Sequence, residues 1–322
     1  MENKKFLITC FSGFVGRHFL QYLYEKEECA DVYGIDIRKP AFDMSMYTSR
    51  LNIRFQEVNL LDGEALKAVL KEFRPNYILH LASFSSVAFS WQHPEESFVN
   101  NTNIFLNLTS ALKELEIACR VLSIGSSEEY GNVLPEHLPL REDMQLRPVS
   151  PYAVARVSQE MLSKVFVDSY HLDIILTRSF NHIGPWQDER FVVPSFIRRI
   201  LNIKDSGATE GTIETGDTTI IRDFVDVRDV VNAYYMLLMN GTPGEIYNIC
   251  SGKQIALSDI IDQIADIVKV EISTKVNPEF VRPSDNRVVV GSHDKLTKEL
   301  GWKPQIAWET TLRDMVKEMD KS

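Results

Sequence analysis

Short apolar runs alternate with longer amphipathic stretches through the first half of the chain. Phe6–Thr9, Val32–Asp36, Tyr77–Leu81, Val121–Ile124 and Ile174–Thr177 are too short for helices and mostly apolar, so they read as strands buried on both faces. Between them, Val15–Lys26, Gly63–Glu72, Glu95–Leu115 and Ala153–Tyr170 carry the spacing of helices that bury one side. A strand, a helix and a second strand close into a parallel pair. Repetition of that unit predicts an α/β fold with a doubly wound parallel sheet.

The rhythm breaks after about Phe180. Pro185, Pro194, Gly207, Gly211 and Gly216 punctuate a mixed region, and one helix follows at Val227–Met239, with Asp226 placed to cap it. Glu245–Ile249 reads as a short strand able to rejoin the sheet. The tail from Ala256 reads as helix, strand, loop and helix, ending at Asp320. The expected organisation is a large domain from residues 1–180 plus about 223–250, and a smaller C-terminal lobe from about 181–222 and 251–322. Such a lobe covers the carboxyl ends of the strands, where open parallel sheets hold their ligands.

Composition narrows the class of protein. Across 322 residues, 44% apolar and 25% charged side chains are enough to build an ordinary core. The net charge of −10 tells against a non-specific nucleic-acid binder, which needs a basic face to displace counterions. A small anionic substrate held by a few local arginines stays compatible with it. The apolar stretch Phe6–Ile8 is too short for a secretory segment, and no run approaches the roughly 20 residues that span a bilayer. A cytoplasmic protein with no membrane partner is expected. Cys10, Cys29, Cys119 and Cys250 lack metal-ligand spacing, so buried free thiols and no metal are expected.

Chemistry enters at the turn between the first strand and the first helix, Thr9-Cys10-Phe11-Ser12-Gly13-Phe14-Val15-Gly16. Glycines here let backbone N–H groups reach a pyrophosphate at the positive end of a helix. Asp36 ends the second strand, where a carboxylate accepts hydrogen bonds from an adenosine ribose and repels a 2′-phosphate, favouring NAD over NADP. Arg38, just beyond, works in the opposite direction. A plain loop carboxylate is the alternative for Asp36.

Two further segments follow. Gly125-Ser126-Ser127-Glu128-Glu129-Tyr130-Gly131 comes directly after a strand, and Ser150-Pro151-Tyr152-Ala153-Val154-Ala155-Arg156 opens a helix with Tyr152 and Arg156 on one face. Oxidising an alcohol needs a base for the hydroxyl proton. A free tyrosine, with a pKa of about 10, is a poor base near neutrality. A fixed cation beside it stabilises the phenolate, and a serine hydroxyl shares the charge developing on the substrate oxygen. The alternative is a tyrosine packed at a helix start with Arg156 facing solvent.

With these segments in register, the chain resembles the extended short-chain dehydrogenase/reductases, the Rossmann-like NAD-dependent epimerase/dehydratase family, over nearly its whole length. It departs from the family's TGxxGxxG turn at Cys10 and from its YxxxK pair at Arg156, which keeps the charge but cannot pass on a proton. Ser126–Gly131, Asn181–Pro185, Arg222–Asp229, Arg282-Pro283-Ser284 and Gly301–Pro304 are similar to GDP-4-keto-6-deoxy-mannose reductases and, a step further away, to GDP-mannose 4,6-dehydratases. Trp186 stands where these relatives often carry glycine.

The resemblance implies Ser126, Tyr152 and Arg156 as catalytic residues, with Ser127 and Glu128 beside them. It brings Thr9, Gly13, Phe14, Val15, Gly16, Asp36, Arg38, Asn59, Leu60, Leu81 and Ala82 to the cofactor, together with Tyr152 and Arg156. It brings Asn181, Arg222, Arg282 and Ser86 to the substrate, whose diphosphate suits the arginine forks. The cofactor implied is NAD, with NADP second. The implied substrate is a GDP-linked sugar, and the assembly a homodimer paired through Glu95–Leu115 and Ala153–Tyr170. The expected activity is C4 oxidoreduction of a GDP-linked hexose or heptose, as 4-dehydrogenase or 4-keto reductase, in activated-sugar synthesis for surface polysaccharide. A 4-dehydrogenase of GDP-manno-heptose fits that pattern. Dehydration across C5 and C6 with Glu128 as base, 4-epimerisation, and non-catalytic sensing are the alternatives.

Overall fold

A computed structural model describes residues 3–27, 29–280 and 286–321. The first half runs β1 (Lys4–Thr9), α1 (Phe14–Lys26), β2 (Ala30–Asp36), β3 (Leu51–Glu57), α2 (Gly63–Phe73), β4 (Tyr77–His80), α3 (Val87–Gln92), α4 (Pro94–Glu114), β5 (Arg120–Ser126), α5 (Pro151–Tyr170) and β6 (Asp173–Ser179). Each strand and helix expected here is present. The strands outrun their apolar runs, because ladder pairing continues where the side chains turn polar, as at Lys4 and Arg120.

The second half runs β7 (Asn181–Ile183), α6 (Val192–Asp205), β8 (Glu210–Thr215), β9 (Ile221–Arg222), β10 (Phe224–Asp226), α7 (Val227–Asn240), β11 (Ile246–Ile249), β12 (Ile255–Ala256), α8 (Leu257–Val268), β13 (Glu271–Val276), β14 (Val288–Val289), α9 (Asp294–Leu300) and α10 (Trp308–Met319). The Asp226 side chain accepts from Arg228 N, capping α7 as expected. Helix α6 departs from the sequence expectation, in which Pro194 reads as a breaker. It sits in the first turn, where its missing N–H is not needed, and Val193, Phe196, Ile197, Ile200 and Leu201 are buried behind it. Helix α9 is a second addition, inside the stretch that reads as a loop.

The main sheet has the order β11-β6-β5-β4-β1-β2-β3, parallel throughout, a Rossmann-like α/β arrangement with helices on both faces. Alternation along β1 explains the layers. Phe6 and Ile8 enter one core with α1 and α7, while Leu7 enters the other with α2 and α4. A separate core gathers α6, α8 and α10 around Phe196, Ile197, Ile260, Ile264 and Leu312. Between these, α9 packs on β11, and Trp302 is buried in the first core. Of the four free cysteines Cys250 is buried, Cys10 and Cys119 are half-buried and Cys29 is exposed, a correction to the expected burial. Cys29 lies in the polar turn between α1 and β2. No helix among the described residues is long and apolar enough to cross a membrane.

Candidate functional site

The strand order reverses between β1 and β4, and doubly wound sheets open a crevice at such a point. Thr9 holds it together. Its Oγ1 accepts from the main-chain N–H groups of Leu81 and Ala82, both at 3.0 Å, tying the ends of the two strands. The turn that follows is wound tightly. A Cβ on Gly16 would lie 2.5 Å from the Phe11 carbonyl oxygen and 2.8 Å from that of Cys10, so only glycine fits. Cys10 itself has φ 53, in the left-handed region that favours glycine. Burial pushes its thiol up to about 12, with Asp36 adding to the effect, so it stays a neutral thiol.

Gly13 caps α1 without a side-chain hydrogen bond, and the first turn holds no acidic residue. The half-buried Phe14 and Val15 open that turn, whose N–H groups carry the positive end of the helix dipole toward any anion placed there. Asp36 accepts from Ser12 N at 3.0 Å and Ile37 N at 2.7 Å, while Ser12 Oγ donates to the Arg38 carbonyl at 2.6 Å. The β2 loop is thereby fixed against the turn, and the carboxylate keeps further lone pairs for hydroxyls. Asn59 Oδ1 accepts from Leu61 N, Asp62 caps α2, and the carbonyl of buried Leu60 accepts from Asn107 Nδ2. This donor and acceptor set fits a dinucleotide.

At the end of β5, Ser126 Oγ accepts from Glu128 N at 3.2 Å and starts a tight helical turn, Ser127–Tyr130, that packs on α5. Ser150 caps α5 by accepting from Ala153 N, and Pro151 suits the first turn. Tyr152 and Arg156 are 6% and 4% exposed, so Arg156 does not face solvent. Arg156 Nε lies 3.2 Å from the Tyr152 hydroxyl, with Nη1 donating to the Ile124 carbonyl at 2.9 Å and to Gln159 Oε1 at 2.8 Å. Each of these partners is neutral. Gln159 in turn donates to Ser123 Oγ at 2.8 Å, which fixes the fork. Burial, with Arg156 nearby, pushes His80 down to about 3, leaving it uncharged.

Behind Ser126 lies a buried polar cluster that sequence reasoning missed. Arg178 on β6 pairs with Glu160 on α5 at 2.9 and 3.0 Å, and Glu129 Oε1 accepts from Ser126 N at 2.7 Å. Burial opposes a charge on Glu160, but the Arg178 fork and then Lys164 hold its carboxyl below the usual range. Only the position of Glu160 four residues from Arg156 hinted at a shared face.

At the expected substrate residues the picture is looser. Asn181 is exposed, with Nδ2 3.5 Å from the carbonyl of Asp223, beside Arg222. Arg222 Nη1 donates to the carbonyls of Ile221 and Asn286 at 2.9 and 2.8 Å. Arg282 lies outside the described residues. Ser86 is exposed and caps α3, its Oγ accepting from Phe89 N at 3.1 Å. Trp186 takes φ 70, and its ring stacks on the Arg17 guanidinium at 3.6 Å. A cavity of about 490 Å³ is lined by Arg141, Lys164, Glu245, Asp294 and Lys295 among others, and meets the cluster behind Ser126 only at its far edge, through Lys164 and Glu142. Its Lys295–Glu245 and Arg141–Asp294 pairs largely cancel. Among the described residues no group of His, Cys, Asp or Glu side chains is placed to hold a metal.

Comparison with known proteins agrees with this geometry. A match to the family described as GDP-mannose 4,6 dehydratase spans residues 7–315. The GDP-6-deoxy-D-mannose reductase of Pseudomonas aeruginosa is 32% identical, covering 99% of this chain and 98% of its own. The GDP-6-deoxy-D-talose 4-dehydrogenase of Aggregatibacter actinomycetemcomitans is 27% identical over 99% of this chain and 97% of its own. The structure of RMD from Pseudomonas aeruginosa complexed with NADPH superposes with a TM-score of 0.83 and 30% identity, covering 99% of each chain. The match over residues 7–315 and a relative 32% identical over nearly the whole of both chains show that the chain belongs to the GDP-mannose 4,6 dehydratase family of extended short-chain dehydrogenase/reductase enzymes.

Proposed function

We propose that this enzyme is an NAD-dependent oxidoreductase acting at C4 of a GDP-linked hexose or heptose, as 4-dehydrogenase or 4-keto reductase. The observation that carries the reading is the Tyr152 hydroxyl held 3.2 Å from the buried Arg156 Nε, with the same guanidinium on the Ile124 carbonyl of the strand that ends at Ser126. The buried guanidinium aims one donor at the tyrosine oxygen and is itself fixed by the Ile124 carbonyl and Gln159. Tyr152 takes the 4-hydroxyl proton in oxidation and returns it to the 4-keto oxygen in reduction. Ser126 Oγ hydrogen bonds the same oxygen. When bound, a nicotinamide cofactor supplies the hydride acceptor or donor for the sugar carbon. Thr9, Gly13 to Gly16, Asp36, Asn59, Leu60, Leu81 and Ala82 would hold it, and Asn181, Arg222, Arg282 and Ser86 the substrate.

Asp36 supports NAD, because a 2′-phosphate would meet its carboxylate. Arg38 and the NADPH carried by the Pseudomonas structure stand on the other side. The relatives' names support a GDP-sugar, and GDP-manno-heptose is the heptose candidate. A second reading, 4,6-dehydration with Glu128 as base, has the family match in its favour. The lobe division at residues 1–180 plus about 223–250 is part of the same reading, as are a cytoplasmic site of action and a role in surface polysaccharide. So is a homodimer, supported by Leu106, Val154, Met161 and Val165, which leave an exposed apolar stripe on α4 and α5.

The test is to add GDP-mannose, GDP-manno-heptose and their 4-keto derivatives to the purified enzyme with NAD(H) or NADP(H). Absorbance of the reduced nicotinamide is followed and the products are identified. Reduced cofactor and a 4-keto sugar, or the reverse, supports the reading. A 6-deoxy-4-keto product with no net cofactor change replaces it with dehydration.

A further inference from the structure

Glu129 is fully buried, and its carboxyl sits directly behind Ser126. Oε1 accepts from Ser126 N at 2.7 Å, and an added Cβ on Gly125 would strike that oxygen, so the strand end is shaped around it. Among the described residues Oε2 meets no hydrogen-bond donor. Its neighbour is the carboxylate of Glu160, which is already paired with Arg178 and Lys164. An ionised Glu129 would leave a buried acceptor facing another anion. A proton on Oε2 turns the same contact into a hydrogen bond donated to Glu160.

We propose that Glu129 is a positioning residue for Ser126: a neutral carboxylic acid that grips the serine main chain through one oxygen and donates its proton to Glu160 through the other. The charged groups facing it are Glu160, with Lys164 behind, from α5 and Arg178 from β6. Burial, reinforced by the Glu160 charge, pushes Glu129 up to about 8. Above that pH it ionises, the hydrogen bond donated to Glu160 is lost, and repulsion between the two carboxylates displaces the Glu129 side chain together with the Ser126 main chain it holds. The role in turnover rests on the C4 reading above, so one readout must be independent of substrate.

The experiment compares the full-length wild-type enzyme with Glu129→Gln and Glu129→Leu. Infrared difference spectra of wild type against the glutamine variant at neutral pH should show the carbonyl stretch of one neutral carboxylic acid. In turnover, Glu129→Leu should lower kcat on the order of tenfold with the KM for cofactor little changed. Glu129→Gln, which can both accept from Ser126 and donate to Glu160, should restore most of it and should lack the alkaline fall in kcat expected of wild type as Glu129 ionises. No neutral-acid band, or a glutamine variant that keeps the same alkaline fall, overturns the proposal. A wild-type enzyme that turns over no GDP-sugar sinks the C4 assignment instead, and the infrared band still decides whether Glu129 is the neutral grip.

Discussion

The two ends of the crevice are built by different means. At the cofactor turn the constraint is main-chain shape: Gly16 lies against the Phe11 and Cys10 carbonyls, Cys10 is held left-handed, and Asp36 is fixed by N–H groups. At the tyrosine end it is buried charge: Arg156 among neutral partners, and Arg178, Glu160 and Glu129 packed in one cluster. Changes at the first end should act through sterics and be nearly blind to pH. Changes at the second should act through electrostatics and show it in their pH dependence.

The sharpest way to break that contrast is Tyr152→Phe, which removes the proton-carrying hydroxyl. We expect turnover to fall roughly 10²–10⁴-fold with cofactor binding retained, measured by steady-state kinetics beside a cofactor titration. Arg178→Met should follow in size, because it leaves Glu160 buried without its fork. Such a lost partner costs about 3–5 kcal/mol, read from urea unfolding. Gly16→Ala should cost about 1–3 kcal/mol by overpacking and weaken cofactor binding, with the same penalty at every pH tested.

A subtler probe is the pH dependence of stability. The pKa of Glu129 is raised on folding, so its contribution is fully present below its ordinary value of 4.5 and is lost as the pH climbs to about 8. The difference in stability between wild type and Glu129→Gln should therefore slope across that window and flatten above it. A flat difference throughout would place Glu129 outside the electrostatic end. Smallest of all, Cys10→Gly should relieve a left-handed side chain and raise stability by up to about 1 kcal/mol, with tighter cofactor binding.

How much was legible follows the same divide. The turn Thr9–Gly16, Asp36 and the Tyr152–Arg156 pair lie in short segments whose spacing carries their geometry, so the sheet and the crevice could be read in advance. Glu129, Glu160 and Arg178 come from three separate segments and meet only once α5 is packed on β5 and β6. No local spacing reports that. Arg156 was also ambiguous in sequence, since a helix surface arginine and a buried one look alike until the Ile124 carbonyl and Gln159 are beside it. Pro194 hid α6 because a helix-starting proline and a helix-breaking one are the same letter. For Arg222, the carbonyls of Ile221 and Asn286 became visible only when β9 and β14 were paired.

The return of the chain to the first core at Trp302 bears on how this enzyme can be recombined. Trp302 Nε1 donates to the Asp229 carbonyl at 3.2 Å, and the Asp229 carboxylate accepts from Gln305 N and Ile306 N. Helix α7 is thus stitched to a segment that follows the core around α6 and α8 in sequence. A chimera that swaps the C-terminal part in one cut after β11 would remove its own fastening. Exchange of substrate specificity between relatives should therefore splice twice, leaving Asp294–Ile306 with the first-half parent while the segments around α6 and α8 are traded.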